Sequence, residues 1–278
     1  MSISGKTCVV TGASSGLGLA TTKQFARLGA NVVLVCRSPK KGENAVAEVQ
    51  REVPNASVEL MICDLASIES VRNFIEKFKA NHPKLQILFN NAAVMKMQRT
   101  VTEDGFETMF QTNYLAPFIL TMSFLNLMKN SSPAQVINIA VPSRKLRLDF
   151  NDLQSSNHYG AWDSFFKTKL CLLLFSIELS RRVDSSGITV VITAPGSFKS
   201  NLVREARWPI GQIKNLFSGT VEKAAENIAF LASSYEDHSR NGKIYVKKQE
   251  KPIIPYWNNS SISKRLWSIT ESLVGETP

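Results

Sequence analysis

"TGASSGLG" runs from Thr11 to Gly18. A short β-branched run, Thr7–Thr11, leads into it, and a segment of helical period, Gly16–Leu28, opens within it. Gly12, Gly16 and Gly18 give the spacing G-x-x-x-G-x-G. Such a strand–turn–helix lets backbone approach a pyrophosphate closely, and the helix start offers it unpaired N–H groups. Glycines alone are a weak signal; on the first strand–helix turn they are a strong one. Gly12, Ser14, Ser15, Gly16, Leu17 and Gly18 are therefore the candidate cofactor loop.

Beyond the loop the same alternation continues. Strand-like runs follow at Asn31–Cys36, Val58–Cys63, Leu85–Asn90, Gln135–Ala140, Ile188–Thr193 and Lys243–Val246. Several are nearly unbroken in Val, Ile and Leu, as strands covered on both faces should be. Helix-period segments lie between them at Lys41–Arg51, Ile68–Ala80, Thr102–Lys129, Ala161–Val183 and Val221–Ala232. This order predicts an α/β fold of Rossmann type: a doubly wound parallel sheet of about seven strands, helices on both faces, three layers. With 278 residues, 44% of them hydrophobic, the chain reads as a single domain spanning 1–278. Residues 201–219, with Trp208, Pro209, Gly211 and Phe217, show no clear period and read as a lid-like excursion over a hydrophobic ligand.

The second strand ends Val35-Cys36-Arg37-Ser38, followed by Lys40 and Lys41. A site for the unphosphorylated ribose usually has an acid here. Arg37 and Lys41 suit a 2′-phosphate instead, so the expected cofactor is NADP(H).

Cys8, Cys36, Cys63 and Cys171 are read as reduced core thiols; their separations fit no zinc pattern, and no metal site is expected. The apolar stretches Leu115–Met128 and Leu170–Leu179 are too short and interrupted to span a membrane. Met1 to Thr7 is polar, so no leader is read and a cytoplasmic location is expected. The balance of 33 basic to 23 acidic residues, net +10, admits anionic partners. Arg144–Arg147 lacks interleaved aromatics, so no nucleic-acid role is expected; weak association of the C-terminal part with a membrane surface is retained.

In order along the chain, "TGASSGLG", "CDL", "NNAA", "TNYLAPF" and "APGSFKS" make it resemble the short-chain dehydrogenase/reductase family nearly end to end. The tail "KRLWSITESLVG" is similar to the C-terminal helix of the branch holding retinol-dehydrogenase-like and protochlorophyllide-reductase-like enzymes. The resemblance implies that Asp64 and Leu65 contact the adenine and that Asn91 and Ala92 line the cofactor site. It also implies that Pro195-Gly196 pass the nicotinamide and that Ser200 takes its carboxamide or a phosphate. It implies Asn113 as the active-site asparagine and Lys169 as the lysine that binds the nicotinamide ribose.

Standard members hold a carbonyl with a serine and a tyrosine hydroxyl, the tyrosine moving the proton while a hydride is transferred. Here the tyrosine position, four residues before Lys169, carries Phe165. The serine position, at the end of "NIAV", carries Val141, and Ala93 replaces a usual glycine. Replacing both polar partners with apolar groups is nearly neutral for stability, whereas losing one strands the other. Ordinary ketone chemistry should be poor. Three readings follow. One is an enzyme with altered chemistry, reducing an activated C=N or C=C bond or catalysing a non-redox cyclisation or isomerisation in an apolar pocket. Another is a carbonyl reductase with a substitute donor among Ser143, Tyr159, Lys199 or a water. The third is an inactive NADP(H)-binding sensor or scaffold. In the resembled family the segments 102–129 and 161–183 often form a dimer interface, so a homodimer is one expectation and burial within the domain the other.

Overall fold

The computed structural model describes residues 2–142, 144–194 and 220–275. Its strands are β1 (Thr7–Thr11), β2 (Asn31–Cys36), β3 (Val58–Ile62), β4 (Ile87–Asn90), β5 (Ala134–Ile139), β6 (Ile188–Ala194), β7 (Ile244–Val246) and β8 (Gln249–Lys251). They form one sheet in the order β3-β2-β1-β4-β5-β6-β7-β8, parallel except for β8. The helices are α1 (Gly16–Arg27), α2 (Pro39–Glu52), α3 (Ile68–Asn81), α4 (Thr108–Phe110), α5 (Ala116–Asn130), α6 (Ala161–Arg182), α7 (Val221–Ala232), α8 (Pro255–Asn258) and α9 (Ser260–Val274).

Alternate strand residues feed two cores. Val9, Val33 and Val35 face the layer of α3, α5, α6 and α9. Cys8, Val10, Val32 and Leu34 face the layer of α1, α2 and α7. That is the doubly wound, three-layer arrangement expected. All four cysteines are buried and unpaired within it.

Two elements differ from the expectation. The sheet has eight strands because β7 turns back at Lys247, whose φ is +59°, and pairs antiparallel with β8. β8 reads Gln-Glu-Lys and carries no apolar alternation to betray it. The expected helix 102–129 starts only at Thr108. Gly105, at φ +85°, makes a turn in which Gly105 N donates to Thr102 O. It is also interrupted by a π-helical segment, Gln111–Leu115.

α9 lies across α5 and α6. Trp267 packs against Phe118 at 5.4 Å and Phe175 at 5.5 Å between ring centroids, and Arg182 stacks over Trp267. The Tyr114 hydroxyl meets Thr270 Oγ1. α9 thus covers, from within the chain, the part of α5 and α6 around Phe118 and Phe175. Among the described residues no helix is long and apolar enough to cross a membrane.

The strand order reverses between β1 and β4, and crevices at that reversal are where such sheets bind ligands. The segments leaving β1, β2, β3, β4 and β5 at their C-terminal ends carry the cofactor candidates from Gly12 to Ala92 and Val141, while Asn113 lies in the π segment and Phe165 and Lys169 lie in α6.

Candidate active site

The glycine turn is shaped by two constraints. Gly12 and Gly16 have φ of +65° and +54°, where side chains other than glycine are strained. Gly18 is limited by space instead: a Cβ there would lie 2.3 Å from Gly12 O and 2.6 Å from Asn91 Nδ2. Around Gly16 a Cβ would meet nothing within 4 Å, so this stretch of backbone faces open space.

β4 braces the turn. Thr11 Oγ1 accepts from Asn91 N at 3.0 Å and Ala92 N at 3.1 Å, and Asn91 Nδ2 donates to Thr11 O at 2.7 Å. Asn91 is therefore spent on holding the loop. α1 has no side-chain cap and no acid in its first turn, which leaves its N–H groups for an anion. By contrast Ser38, Ser67 and Thr220 cap α2, α3 and α7. Leu17 is buried against Ala224 and Ala225 of α7. Ser15 is exposed, and Ser14 lies beside the buried Cys36 thiol, which donates to Ser38 O and whose pKa burial pushes up.

At the end of β2 the Arg37 side chain is 72% exposed, with Nε 3.9 Å from Asp64 Oδ2. Lys41 is exposed in the first turn of α2. Asp64 Oδ1 accepts from Ala66 N at 3.0 Å, and Leu65 is buried beside it. A glycine-shaped turn, an uncapped helix start and exposed cations at the next strand end together fit a phosphorylated dinucleotide.

The opposite wall is built from the π segment, the end of β5 and α6. The π turn carries Asn113, fully buried. Asn113 Oδ1 accepts from Val94 N at 2.8 Å, while Nδ2 donates to Val94 O at 2.9 Å and to Thr168 Oγ1 at 3.2 Å. The amide thus clamps the segment that follows β4. Thr168 in turn donates to Phe165 O at 2.7 Å. Phe165 is buried with Met95 and Met109, and Ala93, Val94, Tyr159 and Phe166 pack around them.

One turn along α6, Lys169 Nζ donates to Ile139 O at 3.2 Å and lies 5.8 Å from the Phe165 ring centroid. Among the described residues no carboxylate pairs with it. Burial pulls its ammonium down from 10.5 to about 8. The bond to Ile139 O ties α6 to the strand that leads into Val141, which is half-buried.

Tyr159 Oη donates to Lys96 O at 2.7 Å. Burial, and then the Glu107 carboxylate, push this phenol up to about 12. Ser143, Pro195, Gly196, Lys199, Ser200, Trp208, Phe217 and the excursion 201–219 lie outside the described residues. The structure brings Asn113, Phe165 and Lys169 together, and gathers the loop glycines with Asn91 and Ala92. Sequence reasoning missed four contributors. Thr11 receives both N–H groups after β4, Thr168 joins Asn113 to Phe165, and Met95 and Met109 complete the apolar wall. The run "AAVMKM" signals that wall only through its hydrophobicity.

The model of the short chain dehydrogenase family matches residues 6–209. Human retinol dehydrogenase 14 is 34% identical over 292 residues, covering 98% of this chain and 87% of its own. Among solved structures, an uncharacterised protein from Mycobacterium paratuberculosis superposes with a TM-score of 0.79 at 27% identity, over 100% of this chain and 96% of that one. A metagenomic short-chain oxidoreductase in complex with NADP gives 0.66 at 24% identity over 85% and 95%, a likeness of fold alone.

Proposed function

Given that the chain belongs to the short-chain dehydrogenase family, a family of NAD(P)-dependent oxidoreductases, we propose that it binds NADP(H) and reduces an activated double bond in a hydrophobic molecule. The activated bond is an iminium-type C=N or a conjugated C=C. One observation carries the reading: Phe165 is buried among Met95 and Met109 where the family's tyrosine would stand, one helical turn from Lys169.

When bound, NADPH supplies a hydride. The chain's own residues do the rest. The Gly12–Gly18 turn and the α1 start hold the pyrophosphate, and Arg37 with Lys41 meets the 2′-phosphate. Lys169 holds the nicotinamide ribose. Asp64, Leu65 and Ala92 line the adenine and crevice side. Asn113 and Asn91 fix the two strand-end segments in place. Phe165, Met95 and half-buried Val141 offer no hydroxyl, so an acceptor that needs a proton on oxygen gains little here. An iminium already carries its charge, becomes a neutral amine on taking the hydride and needs only orientation beside an apolar surface; a conjugated C=C takes the hydride at carbon and then a proton from solvent water. The single sheet that carries every described strand supports reading 1–278 as one domain.

A second reading has its own support. Retinol dehydrogenase 14 is named for an apolar alcohol, and its similarity runs over 98% of this chain. On this reading the protein is a conventional carbonyl reductase or alcohol dehydrogenase using another donor.

A panel of ketones, aldehydes, enones and cyclic iminium salts with NADPH tests both. Turnover of iminium or enone at rates at least ~100-fold above simple ketones supports the first. The Val141→Ser/Phe165→Tyr double variant should then raise ketone reduction by one to two orders of magnitude. Brisk ketone turnover by the unaltered protein, with no gain in the double variant, sinks the first reading and upholds the second. Tighter NADH than NADPH binding in titration sinks the cofactor assignment.

A further inference from the structure

We infer that the face formed by residues 144–150 with α8 and α9 docks on an anionic lipid surface. The loop follows β5 and Val141 in the chain and turns at residues 144–145, Arg147 Nη1 donating to Arg144 O and Leu146 O, both at 2.8 Å. Leu148 N donates to Tyr256 Oη at 2.8 Å, which fastens the loop to α8. Arg147 then lies over the Tyr256 ring and Arg265 of α9 over the Phe150 ring, each with Cζ 4.3 Å from the centroid.

Arg144, Lys145, Arg147, Lys264 and Arg265 are all exposed, and none has a carboxylate partner among the described residues. Some cations elsewhere are matched, as Lys23 is with Glu48 and Glu52 and Arg181 and Arg182 are with Glu178, while others, among them Lys77, Lys84 and Lys129, have no carboxylate partner among the described residues and serve as the comparison for this cluster. The loop's own acid, Asp149, accepts from Asn151 N at 2.9 Å. Between the cations sit half-buried Leu146, Leu148, Phe150 and Ile262.

Unmatched cations over a partly apolar floor complement a lipid interface. Arginine keeps its stem on apolar surface and its head at the phosphates, and each cation near an anionic membrane strengthens binding roughly fivefold. Nucleic acid fits less well, since the Tyr256 and Phe150 rings lie under guanidinium groups instead of presenting faces for base stacking. The excess of 33 basic over 23 acidic residues adds long-range attraction.

The full chain should be co-sedimented with vesicles of phosphatidylcholine alone and with about one third phosphatidylserine, at low and physiological salt. The expected result is binding to the phosphatidylserine vesicles only, weakened by salt. The variant Arg144→Glu/Lys145→Glu/Lys264→Glu should bind these at least ~10-fold less well. Among the described residues these three side chains make no hydrogen bond or ion pair, and unchanged circular dichroism and NADPH titration would verify the variant's integrity. An equal reversal elsewhere, Lys77→Glu/Lys84→Glu/Lys129→Glu, should lose less than ~3-fold. The inference is overturned if neither vesicle binds, if both variants lose equally, or if a single-stranded RNA binds the same face more tightly than the vesicles do.

Discussion

The two walls of the crevice are made by opposite means. The cofactor wall is polar and tight. Thr11, Asn91 and Ala92 lock the glycine turn with three hydrogen bonds of 2.7–3.1 Å, and no side chain intrudes. The wall across from it is apolar and holds one buried ammonium, Lys169, with a single backbone acceptor. A polar network that is nearly complete tolerates no substitution, whereas an apolar wall tolerates those that keep its volume. The difference teaches where this protein has kept its chemistry. Its means of holding a dinucleotide are in place, while on the proposed reading Phe165 and Val141 leave out the groups that would hold a carbonyl.

The sharpest way to break the comparison is at Gly18. Gly18→Ala puts a Cβ 2.3 Å from Gly12 O, a contact with backbone that cannot rotate away. Strain of about 1–3 kcal/mol placed on the binding loop should weaken NADPH binding roughly a hundredfold. Fluorescence titration of NADPH measures it. Phe165→Leu on the other wall should leave the same titration within about threefold. Equal losses would mean that the two walls are not independent.

Next in size is the packing behind the apolar wall. Trp267→Ala removes the ring wedged between Phe118 and Phe175, and should cost about 3–5 kcal/mol in denaturant unfolding. It also uncovers the face of α5 and α6. If a dimer then forms in sedimentation, that face is a latent interface which α9 covers. A variant that stays monomeric and equally stable contradicts the role given to α9.

Lys169 gives a smaller effect with a clear sign. In the unfolded chain its ammonium keeps its proton to about 10.5, and in the folded protein only to about 8. Between those values the unfolded state binds more protons, so stability rises with pH across that window. Below pH 8 both states are protonated and the burial cost is fully present. Lys169→Met should therefore be more stable than the parent near neutral pH, by up to roughly 3 kcal/mol at ~1.4 kcal/mol per pH unit. The gap should close toward pH 10.5. Thermal melts of the two proteins from pH 7 to 10 test this, and parallel curves would show that the ammonium is not desolvated.

These contrasts were unequally legible in the sequence. The cofactor wall could be read because its parts are local: Gly12, Gly16 and Gly18 lie within one turn, and Arg37 follows its strand directly. The strands too announced themselves as unbroken Val and Ile runs. The apolar wall was legible only where a resemblance marked a position, at Phe165, Lys169 and Asn113. Its remaining members come from residues far apart in the chain, and Met95, Met109 and Thr168 carry no spacing that marks them. The π segment was hidden because a one-residue change of hydrogen-bond register leaves the hydrophobic pattern of 111–130 almost unaltered. β8 was hidden because edge pairing by Gln249–Lys251 uses backbone alone.

The smallest expected effect falls on Tyr159, the candidate for a substitute proton donor. Tyr159 packs beside Phe165, so it is the nearest described phenol that could stand in for a tyrosine at position 165. Its hydroxyl, however, donates to Lys96 O at 2.7 Å, and burial with the Glu107 carboxylate pushes it up to about 12. A general acid works best with its pKa near the operating pH, and a neighbouring cation is what ordinarily brings a phenol down. Lys169 offers its charge to the Phe165 ring instead. Tyr159→Phe should cost the fold only about 0.5–1.5 kcal/mol, the worth of one hydrogen bond, and should change turnover of any accepted substrate by less than about threefold. A loss of two or more orders of magnitude in kcat, with the pH optimum displaced, would make Tyr159 the acid. The apolar wall would then be only a differently placed polar one.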